Sequence, residues 1–405
     1  MPSSSAIPIA SRPIARRFAT RLALFYGAVF GLVGTQLPFF PVWLKSTGID
    51  APWIGLIIAV PSLTRFTVLP LVTGLAERHQ SLRGAMIITA FATALGFSIL
   101  GTLRQPLVVL IAFALTACTW TPLVPLADGY ALKGVVRYGL NYGRLRLWGS
   151  AAFVLGALAC GLLVDVIAAG NLIWVIAAMA ALGAGVSLGL QRLDASEAAV
   201  ASLSGATALL RQPGFVAILA AAALIQASHA AYYSFASITW QASGLGGLTI
   251  AGLWVLGVLA EIVVFALSPR FSLSPAMLVV LGGLCAATRW LIIAQEPPVE
   301  ILAIVQLMHG LTYGLTQVGT MGLLVRHVPS HVMATAQGYL TAGIGIAMSS
   351  AAMLSGVIYA RDGSGVYGAM AAMALIGALV MWLARHRVDA PYRGTDQPQR
   401  AASGG

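Results

Sequence analysis

Charge is what this 405-residue chain has least of: 9% of its residues are Asp, Glu, Lys or Arg, against 59% that are hydrophobic. A water-soluble domain carries about a quarter charged residues, so a surface built for water is excluded over most of the length. Cysteine is scarce as well. Cys118, Cys160 and Cys285 are odd in number, fall inside apolar segments and lack metal-ligand spacing, which excludes a disulfide framework and a thiolate metal site. The sequence has no Ser/His/Asp constellation, His-rich cluster or Gly-rich phosphate loop, so enzyme chemistry has no support and no cofactor is expected. Nor is there a basic stripe with interleaved aromatics, and the net charge of +11 therefore does not signal nucleic acid.

Long apolar runs are abundant. They fall at about 20–44, 52–75, 84–103, 106–132, 144–167, 171–190, 213–240, 248–268, 274–294, 299–325, 332–360 and 366–384. A helix needs roughly 20 such residues to cross the hydrocarbon core of a bilayer. The reading is an all-α membrane protein of twelve transmembrane helices. The longest internal connection, 191–212, separates a bundle at 20–190 from one at 213–385, with polar, disordered tails expected at 1–19 and 386–405. Arg12, Arg16, Arg17 and Arg21 precede the first run in the manner of a signal peptide, but the run is too long for one and reads as an uncleaved span.

Orientation follows from the cations. With the N-terminus in the cytoplasm, the loops and tails on that side hold 18 of the 23 Lys and Arg. The opposite loops hold three (Lys45, Arg104 and Arg361), and Arg65 and Arg289 lie within spans. This bias places both termini inside. The halves also repeat: Trp43 and Trp240 are 197 positions apart, as are the pairs Gly55-Leu56 and Gly252-Leu253 that open the second helix of each half. Parallel six-helix repeats point to two pseudo-symmetric bundles with a substrate site between them near the midplane.

Ionisable side chains inside spans are rare because each costs on the order of 3 kcal/mol at the centre of a helix on insertion scales. Arg65 and Glu261 sit ten residues past Gly55 and nine past Gly252, so the halves bury opposite charges at nearly one level. Arg289 lies in the outer third of span 9 and His309 near the middle of span 10. Two accounts fit these four: a transport site, or structural ion pairs between helices. His229 forms a stripe with Gln226 and Tyr233 at i, i+3 and i+7, equally open to both accounts. In span 5, Arg146, Ser150 and Phe153 share a helix face, and Asp128 at the inner end of span 4 is the natural partner of Arg146. Position alone would make Asp128 and Arg146 boundary charges.

The segments PFFPVWL (38–44), YGRLRLWGS (142–150), SHAAYYSF (228–235), LWVLGVLAE (253–261) and QLMHGLTYG (306–314) resemble those of phenylpropionate permeases, proton symporters related to lactose permease within the major facilitator superfamily. The resemblance implies that Arg146 binds substrate with Asp128 as its acidic partner, and that Phe153 and Ser150 take the places of a stacking tryptophan and a nearby cysteine. It also matches Glu261, Arg289 and His309 to the acid, arginine and histidine of spans 8, 9 and 10. The family's proton-carrying glutamate one turn after the histidine is Thr312 here, and Gln306 replaces a lysine, so the proton site does not transfer directly. The loop GLAERHQSLRG (74–84) is a degraded form of the superfamily's loop signature.

Together the proposed cavity residues carry one net positive charge, suited to a monovalent carboxylate held in the planar fork of an arginine. Tyr233, Trp254 and their aromatic neighbours could receive an aryl group or could pack between helices. Glu261 is the first candidate for proton coupling, His309 the second and His229 the third. The expectation is a monomer in the bacterial inner membrane, in contact with lipid, that takes up a small aromatic carboxylate with a proton and binds neither metal nor nucleic acid. A sugar or nucleoside symporter, a drug/proton antiporter and a non-transporting receptor stand as alternatives.

Overall fold

In a computed structural model of the chain, described for residues 12–79, 81–193, 209–329 and 332–389, every regular element is a helix. The expected tails before residue 12 and after 389, and linker positions 194–208, lie outside those residues. Ten helical stretches are long and apolar enough to cross a membrane, or eleven when the bent pair Ala51–Thr67 and Leu69–Ala76 counts as one. The stretch Thr335–Val388 is 54 residues long. At 1.5 Å per residue it would reach about 80 Å, far beyond a bilayer. It is two helices, Met333–Asp362 and Val366–Val388, joined by a turn in which Gly363 has φ +54°. The twelve runs read from the sequence are thus each helical.

In chain order the spans are Arg12–Ser46 (span 1), Ala51–Thr67 with Leu69–Arg78 (span 2), Leu82–Leu100 (span 3), Pro106–Trp120 with Leu123–Tyr138 (span 4), Tyr142–Val164 (span 5) and Leu172–Leu188 (span 6). They continue as Pro213–Ala227 with Ala230–Ala242 (span 7), Gly247–Leu267 (span 8), Pro275–Ile293 (span 9), Val299–His309 with Leu315–His327 (span 10), Met333–Asp362 (span 11) and Val366–Val388 (span 12). Span 1 starts eight residues before the expected position 20, so residues 12–19 are helix, not a disordered tail. Phe18 is the cause: it is buried within the basic start, stacked on Tyr130 and against Tyr138 at 5.1 and 5.2 Å. Arginines on either side can keep their heads in water while the stems follow the helix.

Spans 1–6 pack chiefly with one another, as do spans 7–12, and the two groups meet through spans 1, 2 and 5 on one side and 7, 8 and 11 on the other. At the end away from the termini these meetings are backbone against backbone. Gly55 and Gly356 face each other between spans 2 and 11, and Gly161 and Gly247 between spans 5 and 8; a Cβ on Gly161 would fall 2.6 Å from the Gly247 carbonyl oxygen. Asp165, at the end of span 5, accepts the backbone N–H of Gly247 at 2.7 Å and so caps span 8 from the other half. A single apolar core runs through both groups there, including Phe40, Trp43, Trp240 and Trp254. At the end carrying the termini the core divides. Phe18, Leu22, Met86 and Tyr130 cluster with residues of spans 1–6 and their flanks alone, and Phe215, Leu324 and Ala336 with residues of the second half alone. The molecule is sealed at the far end and split at the terminal end. Exposed side chains such as Leu95, Leu155 and Leu383 supply the lipid-facing surface.

Candidate functional site

Span 2 is bent by 43° at Val68, just before Pro70, and three further spans are broken partway along, each break with a local cause. In span 7, Ser228 Oγ donates to Ile225 O at 2.7 Å, and His229 Nδ1 lies 3.2 and 3.1 Å from Ile225 O and Gln226 O. Side chains thus engage carbonyls that the helix would otherwise use, and the helix restarts at Ala230. In span 4 the break falls at Thr121 and Pro122, where the ring lacks an N–H. In span 10, Gly310–Gly314 form one π turn, a distortion frequent at functional sites. It sets His309 and Thr312 in one polar chain.

That chain centres on Arg289, 0% exposed. Its Nη1 donates to His309 Nδ1 at 2.9 Å and lies 3.5 Å from Thr312 Oγ1, while Nη2 donates to Gln306 Oε1 at 2.8 Å. The guanidinium sits over the rings of Tyr232 and Trp290, each centroid 4.7 Å away. Because Nδ1 of His309 accepts, its ring proton is on Nε2, which faces Glu261 Oε2 at 3.7 Å. The other imidazole, His229, faces backbone carbonyls with Nδ1 and therefore accepts with Nε2 from the Thr312 hydroxyl at 3.1 Å. Glu261 is the outlet of this chain: its side chain is 25% exposed, whereas His229, His309 and Arg289 are all buried. Four buried side-chain atoms around it have no hydrogen-bond partner: Arg289 Nε, Gln306 Nε2, Gln226 Oε1 and Ser234 Oγ.

Aromatic rings wall the chain. Tyr232 lies against Trp254 at 4.5 Å, Tyr233 stacks on Trp254 at 6.1 Å, and Tyr313 stacks on His309 at 5.6 Å. Their polar tips are anchored, Trp290 Nε1 on Ser228 Oγ at 3.0 Å and Trp254 Nε1 on Ser237 Oγ at 2.9 Å.

A second cluster belongs to the first half. Asp128 Oδ1 accepts from the hydroxyls of Tyr26 at 2.6 Å and Tyr142 at 2.9 Å, and lies 3.9 Å from Arg146 Nε. The Arg146 guanidinium rests on the Phe30 ring at 3.9 Å. Arg146 and Asp128 are 31% and 32% exposed, so water reaches both. Arg65 is exposed, with no hydrogen bond or ion pair to any described residue. The sequence-derived residues therefore form two groups: Glu261, His309, Arg289, His229, Tyr233 and Trp254 in one, and Asp128 with Arg146 in the other. Ser150 is half-buried without a hydrogen bond, and Phe153 is buried beside Gly34 of span 1. Tyr26, Tyr142 and Phe30, which hold Asp128 and Arg146, escaped the sequence reading; Tyr26 and Tyr142 were visible only as hydroxyl-bearing rings at the same membrane level.

The family model described as "MFS_1 like family" matches residues 19–369. A probable 3-phenylpropionic acid transporter of Escherichia coli (strain K12) is 32% identical over 367 residues, covering 87% of this chain and 94% of that protein. A maltose permease of Geobacillus stearothermophilus is 27% identical over 377 residues, covering 91% and 95%. Among solved structures, the nucleoside transporter NupG superposes with a TM-score of 0.81 at 14% identity, covering 91% of this chain and 99% of that one, a likeness of fold alone.

Proposed function

The chain belongs to the MFS_1 like family, a multi-pass membrane secondary transporter, and on that premise we propose that it takes up a small aromatic carboxylate together with a proton. The terminal end is taken as cytoplasmic, which makes the conformation inward-open. One arrangement carries the reading: a buried arginine and histidine of the second half lead to a water-reachable carboxylate, Glu261, while the first half presents the water-reachable cations Arg65 and Arg146.

Glu261 is the proton carrier of the scheme. A second proton on His309 would have to enter at Nδ1, head-on against the Arg289 guanidinium, whereas Glu261 can take one from water without breaking a bond. His229, with both nitrogens engaged, orients Thr312. In this conformation Arg289 has no exposed surface, so the substrate carboxylate is assigned to Arg65 and Arg146, and Arg289 serves as the fixed counter-charge of Glu261. An aryl ring would lie near Tyr233 and Tyr313, which are only partly buried and flank Glu261. The name of the 32%-identical relative supports the same substrate class.

A neutral polyol is the second reading, favoured by the unpartnered Gln226 Oε1 and Gln306 Nε2 and by the permease relative. Proteoliposomes with an imposed pH gradient test the proposal: acid outside should drive uptake of labelled phenylpropionate above its equilibrium level. Uptake of maltose but not of aryl carboxylates, or uptake indifferent to the gradient, would refute it.

A further inference from the structure

One concavity shares no residue with the proposed transport site. At the terminal end, Arg17 and Arg21 of span 1, Arg83 of span 3 and Arg192 beyond span 6 converge on a cavity of about 510 Å³. The positive-inside bias asks only for cations on this side of the membrane, not for their meeting in one hollow from three spans. Arg83 is fixed there: its Nε donates to Leu190 O at 2.6 Å and its Nη2 to Leu188 O at 3.1 Å. These bonds aim a held guanidinium into the hollow with its Nη1 edge unused. Arg17, Arg21 and Arg192 have no carboxylate partner among the described residues. The Tyr130 hydroxyl donates to Gln191 O at 2.8 Å and pins the chain that brings Arg192 to the rim.

The lining is two-natured. Ile14 and Leu188 share the cavity with the arginines and are 51% and 54% exposed, so an apolar wall runs from the cations onto the outer surface of spans 1 and 6. A free phosphate would use the cations and leave this wall wet. A phospholipid would place its phosphate among the guanidiniums and its chains along the wall.

We propose that this hollow binds the phosphate of an anionic phospholipid, with Arg17, Arg21, Arg83 and Arg192 as its ligands. The inference rests on the membrane-spanning reading and not on the substrate assigned above, so a failure of transport and a failure of lipid binding are separately visible. Arginine forks suit phosphate oxygens, and basic pockets between spans are established sites for lipid headgroups. Four cations exceed what one phosphodiester neutralises, which favours a headgroup with no compensating ammonium.

The test is titration of the delipidated, detergent-purified full chain with phosphatidylglycerol, phosphatidylcholine, inorganic phosphate and pyrophosphate, read by native mass spectrometry and thermal shift. Phosphatidylglycerol should bind and stabilise, and phosphatidylcholine should not. The double variant Arg17→Gln/Arg21→Gln should bind phosphatidylglycerol about 30-fold more weakly, from roughly a fivefold contribution per arginine at a membrane surface. Arg270→Gln/Arg387→Gln removes the same charge from exposed sites outside the hollow and should leave binding unchanged. Equal weakening by both double variants, or equal binding of phosphatidylcholine, would overturn the site. Full displacement of phosphatidylglycerol by millimolar phosphate or pyrophosphate would overturn the lipid as its source.

Discussion

Replacing Arg289 with methionine keeps much of the side-chain length and removes the charge. The structure names what is lost: charge-assisted hydrogen bonds to His309 at 2.9 Å and Gln306 at 2.8 Å, and two ring faces at 4.7 Å. Each such bond is worth about 1.5–3 kcal/mol, and each desolvated cation–ring contact about 1–2. Part of this is returned because methionine needs no desolvation, and breaking one partner out of a buried charged network typically leaves a net loss of about 3–5 kcal/mol. For a chain of this length, with an unfolding entropy of about 2 cal/mol/K per residue, 4 kcal/mol corresponds to a drop of about 5 °C in Tm. Thermal unfolding of the purified protein in one detergent reads it directly. The partner Gln306 sharpens the measurement, because Gln306→Met should be costly alone and nearly free once Arg289 is gone, a coupling of about 2 kcal/mol. A melting point within about 1 °C of the parent for Arg289→Met, or additive effects in the pair, would show that the guanidinium does not bear these contacts.

Other outcomes follow from the same geometry. Glu261→Gln should abolish accumulation driven by a pH gradient while leaving counterflow exchange intact; undiminished uphill uptake by this variant would remove Glu261 from the coupling scheme. Arg65→Gln should raise KM for an aryl carboxylate about tenfold, the effect of losing about 1.4 kcal/mol of attraction, with melting unchanged, since Arg65 is exposed and unbonded. Kinetics and thermal shift on the same sample separate these. Gly161→Val should wedge spans 5 and 8 apart at the far end, because the Gly247 carbonyl occupies the space of any Cβ. Cysteines introduced in the cleft should then react faster with an impermeant reagent from that side, and an unchanged rate would contradict the sealing role of the glycine pair.

Twelve crossings, their repeat at 197 residues and the convergence of Glu261, Arg289 and His309 were legible because hydropathy and charge scarcity are properties of the chain itself. The burial of Arg289 was not. Nothing in Ala-Ala-Thr-Arg-Trp distinguishes an arginine facing a chamber from one clasped between Tyr232 and Trp290, because that depends on which rings of span 7 arrive opposite. The breaks in spans 7 and 10 also escaped. Neither contains proline at the break, and the causes are side-chain bonds to carbonyls in one case and a π turn between two glycines in the other. Phe153 shares a helix face with Arg146 by spacing, yet it is buried beside Gly34 of span 1, where the missing side chain leaves room for close approach. Spacing gives a direction from the helix axis; it does not say what waits there.

The bond from Asp165 to the first amide of span 8 joins the two halves at the point where they must part for substrate to enter from the far side. In the conformation seen here it completes a helix start; a carrier opening at the far end would expose that amide to water and leave the carboxylate without its partner. Removing the acceptor, as in Asp165→Ala, therefore acts as a thumb on a balance, biasing the resting orientation of the carrier toward the far side without touching any residue assigned to the cargo.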